Sequence, residues 1–152
     1  MKTKTESQNA ITLSPRACWK PATLLKLVLL LSCAVASASA GAPTAQVQPL
    51  LTKPLPNIPG KEATMLLVTY PPGSKDHAHR HNANAFVYVL EGSIVMQMKG
   101  EPKVTLHPGQ TFYEGPKGVH LVGENASKTR PAKFVVLLVK DKGAPVLVPV
   151  AK

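Results

Sequence analysis

Three histidines within five residues, His77, His79 and His81, are the densest chemistry in this chain, and they lie in the stretch DHAHRHNANAFVYVLEG. Alternate residues of a β-strand project from one face, so His79 and His81 would stand side by side, about 6.7 Å apart along the backbone. Two neutral imidazoles so placed can lean onto one metal ion through bonds of about 2.1 Å. His77 has the same parity and is a possible additional ligand if the strand starts early. Arg80 should face away from such a site, as a surface ion-pair partner, and Asp76 flanks it. His107 precedes Pro108-Gly109 in a turn and reads as a surface residue. No Ser-His-Asp or Cys-His arrangement suited to nucleophilic catalysis is present.

The elements that must hold these histidines are short. From Ala63 onward, runs of Val, Leu, Phe and Tyr alternate with turn residues: ATMLLVTY before Pro71-Pro72-Gly73, AFVYVL before Glu91-Gly92, SIVMQMK before Gly100, KVTLH before Pro108-Gly109, QTFYE before Gly115-Pro116 and KFVVLLVK before Asp141-Lys142-Gly143. Turn signals at roughly ten-residue spacing predict an all-β sandwich or barrel. No segment of this part has a sustained helical apolar stripe with caps. Parity places Ala85, Val87 and Val89 on the side of His79 and His81. It turns Phe86, Tyr88 and Leu90 to the other side, where a second sheet, the proline-rich arm or another subunit should cover them. Met65, Val95 or Met96 are further candidates for the inner wall, depending on register.

Upstream, residues 41–60 (GAPTAQVQPLLTKPLPNIPG) are proline-rich, which excludes a helix. They predict an extended arm able to lay Val47, Leu50 and Leu51 along a sheet edge. Residues 1–40 have the order of a secretory leader: a basic start, the apolar run TLLKLVLLLSCAVAS, and the small residues Ala38-Ser39-Ala40. Cleavage after Ala40 is the expectation, ahead of a transmembrane anchor, for which the run is too short. Lipidation at Cys33 within LLSC is a third reading. The division is thus a signal peptide over 1–40, an arm over 41–60 and one domain over 61–152. Cleavage would remove both cysteines, Cys18 and Cys33, leaving the domain to its core, a metal or a second subunit. The formal charge is +10, with lysines scattered rather than clustered among aromatics. That excludes a nucleic-acid surface and suggests solvation, with mild attraction of anionic molecules.

The spacing Gly73-x5-His79-x-His81-x3-Ala85-x6-Gly92 resembles the first motif of the cupin superfamily. GQTFYEGPKGVHLVGEN, with Gly109, His120 and Asn125, resembles the second. The resemblance covers roughly residues 63–140. It implies a single cupin-type double-stranded β-helix, or jelly-roll barrel, in which His79, His81 and His120 converge on a metal inside the barrel mouth. Three departures stand out. Ala85 occupies the family's glutamate position, Pro116 and Gly118 are displaced by one, and Asn125 comes one residue late. The first leaves at most three imidazoles from the matched positions. These suit Zn, Cu or Fe(II) better than hard ions such as manganese. Glu114, before the His120 turn, could return a carboxylate, although a solvated strand-end charge is the expected reading.

The resemblance leaves the reaction open, because fold does not select it. One reading is an exported metalloenzyme, oxygenase- or isomerase-like, acting on a small organic molecule. A second is a non-catalytic cupin that binds metal or a small ligand. A third is a structural barrel with relic histidines. The expected setting is secreted or periplasmic, with no membrane attachment after leader removal, and the expected partners are a small-molecule ligand or substrate and a second copy in a homodimer.

Overall fold

The computed structural model describes residues 43–150, so the leader, its cleavage point and Cys33 lie outside the described residues. The described chain is all-β. Its strands are β1 (Gln46–Pro54), β2 (Lys61–Tyr70), β3 (His79–Arg80), β4 (Asn84–Glu91), β5 (Ile94–Met98), β6 (Val104–Leu106), β7 (Thr111–Glu114), β8 (His120–Asn125), β9 (Ala132–Asp141) and β10 (Val148–Pro149). They form two five-stranded antiparallel sheets, ordered β1-β2-β9-β4-β7 and β10-β3-β8-β5-β6.

Strict alternation builds the core. In β2 the even residues Leu66, Val68 and Tyr70 are buried, and in β9 so are Phe134, Val136 and Leu138. Ala85, Val87 and Val89 continue this face along β4, and Ile94, Met96 and Leu106 close over it from the second sheet. Each large aliphatic side chain sequestered there contributes about 1.5–3 kcal/mol. Tyr70 meets Phe134 edge-on, with ring centroids 4.9 Å apart, the arrangement that aromatic quadrupoles prefer. Met96 and Val95 are both buried. Met65 is not part of the inner wall: its odd parity in β2 puts it half-buried on the outer face. On that outer side Phe86, Tyr88 and Leu90 are exposed as the alternation required, and Phe86 packs beside the exposed Tyr113.

The proline-rich arm supplies β1, an edge strand paired along β2 and exposed throughout. A register shift falls between Pro49 and Leu51. Two turns have backbone that few residues adopt. Asn82 has φ 48°, a conformation asparagine tolerates better than most residues, and it swings the chain from β3 in one sheet into β4 in the other. Gly92 has φ 72°, and a Cβ there would lie 2.6 Å from the Pro131 carbonyl oxygen, so only glycine fits.

Candidate metal centre

β3 and β8 pair through one residue couple, His79 opposite His120. That couple places their rings 4.9 Å apart, and His81 lies 4.9 Å from His79 on the other side. Across the barrel, β4 and β7 pair with Ala85 opposite Glu114. Glu114 shares inward parity with Phe112 and is only 3 % exposed. Together His79, His81, Glu114 and His120 each offer a ligating atom, all within 4.8 Å of one another. Donors held about 2.1 Å from one ion stand at most about 4.2 Å apart, so a small closing movement suffices to complete a coordination shell.

Backbone carbonyls decide which way each ring faces. His79 Nδ1 lies 2.8 Å from the His77 carbonyl oxygen, His81 Nδ1 2.5 Å from that of Val146, and His120 Nε2 2.6 Å from that of Val122. A carbonyl only accepts, so each of these nitrogens carries the proton. In the neutral ring the other nitrogen, Nε2 of His79 and His81 and Nδ1 of His120, then presents a lone pair to the cluster. Glu114 Oε2 stands 3.2 Å from His120 Nδ1 and 3.5 Å from His81 Nε2. Neither His120 Nδ1 nor Glu114 Oε2 has an aligned hydrogen-bond partner, although both are buried. Buried acceptors aimed at one another without a donor are costly, and a cation among them removes the conflict. The donor set therefore fits a divalent metal: three imidazole nitrogens and one carboxylate, each ring held by an outer partner as ligand histidines usually are.

Without a metal, a proton on His120 Nδ1 is the other way to settle this pair, and the electrostatics favour it. Burial pushes His79 below the ordinary imidazole range, which keeps it neutral. Burial also pulls on His120, but the facing Glu114 carboxylate outweighs it and holds His120 above that range. Burial would raise Glu114, yet the imidazoles of His120, His81 and His79 hold its carboxyl below the usual value. Under His120 lies a further polar pair, in which the buried Tyr70 hydroxyl donates to Asp76 Oδ2. Gly123 makes room for it, since a Cβ there would sit 2.6 Å from Tyr70 Oη and 3.2 Å from His120 Cε1.

Residues 66–138 match the family model described as the cupin domain. Over these residues the chain belongs to the cupin superfamily. Solved structures with the same fold include a cupin-like protein from Thermotoga maritima (20% identity, covering 71% of this chain and 77% of that one, TM-score 0.58). Another is the DMSP lyase DddQ from Ruegeria pomeroyi DSS-3 (24%, 58% and 43%, TM-score 0.52), of whose length this chain spans less than half. A third is KdgF from Halomonas sp. (18%, 65% and 81%, TM-score 0.52). No curated protein matches the sequence.

In this cupin the three matched histidines come together. Glu114, expected as a solvated strand-end charge, is instead buried against them, and it stands directly across from Ala85. The carboxylate absent from the family's position thus arrives from the neighbouring strand, and the small alanine makes space for it. The argument against hard ions, which rested on a missing carboxylate, lapses with that. His77 lies outside the cluster. Its side chain is exposed because β3 begins only at His79, and Lys75 bridges to Glu124 instead, so strand parity does not extend back to it. Its carbonyl orients His79. Arg80 is exposed, and so is His107, whose Nδ1 meets Ser93 Oγ at 2.9 Å. The two carbonyls of Val122 and Val146 have no signature in residue type. For Glu114 a signal existed: its parity with Phe112, together with a small residue at the hairpin position opposite.

Proposed function

We propose that this cupin holds one divalent metal ion on His79, His81, His120 and Glu114, and that it acts outside the cytoplasm on a small organic molecule. The observation that carries the reading is the set of converging lone pairs, with His120 Nδ1 and Glu114 Oε2 buried and unpartnered. When bound, such an ion supplies Lewis-acid polarisation of a substrate oxygen or activation of water or dioxygen. The residues' own part is to fix geometry: the carbonyls of His77, Val146 and Val122 hold the rings, and Glu114 supplies the compensating charge. His81 is the most open of the four, its side chain 11 % exposed against 3 % for His120, so approach is from its side. The lyase named among the structures of this fold supports an enzymatic reading without specifying a reaction.

A second reading, a non-catalytic metal-holding cupin, is favoured by how closed the site is. Four protein donors saturate a tetrahedral ion, whereas a six-coordinate ion keeps two open positions. Metal analysis of the protein purified without a polyhistidine tag, followed by water-proton relaxation of the Mn(II)- or Cu(II)-loaded protein, tests both. About one equivalent of metal with rapidly exchanging water supports a catalytic site, and one equivalent without it supports the holding role. No metal uptake from Zn, Cu, Fe, Ni or Mn overturns the metal reading altogether. The exposed outer face around Phe86, Tyr88 and Tyr113 supports a homodimer, which Tyr88→Lys should shift to monomer in analytical ultracentrifugation.

A further inference from the structure

β3 carries His79 and leads directly into His81, yet it is two residues long and joins β8 through a single pair. Its other neighbour is β10, where Val148 lies opposite Arg80 and Pro149 opposite His79. Val150 N–H donates to the Ala78 carbonyl at 3.3 Å. Just ahead of β10, the Val146 carbonyl accepts the His81 Nδ1 proton, and the Val146 side chain packs against the core. The entry to this segment is pinned as well. Lys140 Nζ donates to Glu62, with which it forms a buried ion pair, and to the Ala144 carbonyl at 2.7 Å, while Gly143 N–H donates to Glu62 Oε1 at 3.1 Å. Residues 144–150 therefore run from an anchored turn to the strand that bears His79 and leads into His81, two of the four candidate ligands.

We infer that this C-terminal segment is a working part of the metal centre, a positioning strap whose docking on β3 is coupled to metal occupancy. The inference rests on the metal reading above and adds a determinant that lies outside the cupin-domain match at 66–138. Without the Val146 carbonyl, the Glu114 carboxylate 3.5 Å from Nε2 is the remaining acceptor for the His81 proton, and a proton on Nε2 takes the lone pair away from the cluster. Without β10, β3 keeps one cross-strand pair, too little to hold an isolated two-residue strand in place. Coupling between two binding events is reciprocal. A docked strap raises metal affinity, and bound metal tightens the strap by the same factor. Outer partners of ligand histidines are typically worth 10–100-fold in metal affinity, which sets the expected size.

The test uses the full chain with Zn(II) as the probe. Hydrogen exchange followed by mass spectrometry should show the peptide covering 144–152 slowing on Zn addition, while exchange in the central strands β2 and β9 changes little. Deleting Val146–Lys152 should lower Zn affinity about 10–100-fold and alter the visible spectrum of the Co(II)-loaded protein. If that deletion does not fold, Val150→Pro, which removes the donor to Ala78, should still weaken Zn binding and speed exchange in the strap. Zn binding that leaves exchange at 144–152 unchanged, or Val150→Pro binding Zn and giving the Co(II) spectrum of the wild type, overturns the coupling while leaving the metal reading intact. Failure of the wild type to take up any metal overturns the metal reading, and the coupling with it.

Discussion

Replacing Glu114 with glutamine should move the metal-free and the metal-loaded protein in opposite directions. In the metal-free protein at alkaline pH, above the raised range of His120, the Glu114 carboxylate faces lone pairs it cannot pair with, 3.2 Å from His120 Nδ1 and 3.5 Å from His81 Nε2. A glutamine amide brings N–H donors to the same place. A buried group left without a partner costs about 1–3 kcal/mol, so Glu114→Gln should stabilise the metal-free domain by about 1 kcal/mol. For a domain of this size that raises Tm by roughly 4 °C. The loaded protein should behave the other way. Metal at 100 times its Kd stabilises the native state by about 2.7 kcal/mol. If the lost carboxylate weakens binding 10–100-fold, the same metal concentration stabilises the variant by only about 0.4–1.4 kcal/mol. Thermal unfolding with and without Zn(II), read by circular dichroism, gives all four values. A variant less stable than wild type without metal, yet stabilised as strongly by Zn, would refute the assignment of Glu114 to the metal-facing set.

Other substitutions and conditions bear on neighbouring claims. His120→Ala and His81→Ala should each lower metal affinity at least 10–100-fold, measured by chelator competition, whereas His77→Ala, exposed and acting only through its carbonyl, should leave it within about threefold on the same scale. Gly123→Ala puts a methyl 2.6 Å from Tyr70 Oη and should cost about 1–3 kcal/mol in urea unfolding, as overpacking does. Metal affinity should fall as pH drops through about 6.5. His120, held above its ordinary range by Glu114, protonates first on the way down, so an affinity flat from pH 8 to 5.5 would argue against imidazole ligands. The metal-free protein should also lose stability in acid. Glu114 is depressed in the folded state by the facing imidazoles, so while those rings are charged its contribution is present above its unfolded pKa and disappears as pH falls through the folded one; once the rings are neutral that contribution is gone.

The fold was legible wherever one face of a strand is buried and the other is not. Alternation along AFVYVL separated Ala85, Val87 and Val89 from Phe86, Tyr88 and Leu90 without any knowledge of partners. The same rule brought His79 and His81 to one side, even though His81 already lies past the end of β3. It failed where pairing is too short to impose a period. His77 precedes the strand, and the stretch LVPV at β10 has no alternation to read. It also failed for HLVGEN, whose glycine is set by the neighbouring Tyr70 hydroxyl rather than by strand preference. The carboxylate was hardest to place because its position depends on the register between β4 and β7. Residue spacing within one motif cannot carry that information, since the carboxylate that Ala85 lacks stands on the neighbouring strand.

Both sheets have two outermost strands, and proline marks each of the four. β1 contains Pro49 and Pro54, β10 contains Pro149, β6 lies between Pro102 and Pro108, and β7 stops after four residues ahead of Gly115-Pro116. A proline offers no N–H to an incoming strand, and edges so interrupted are poor templates for another chain. The long, fully exposed β1 would otherwise be an open invitation to ribbon-like growth. The edges of both sheets are therefore poor places for another copy to add a strand, which works against fibril growth in a concentrated solution.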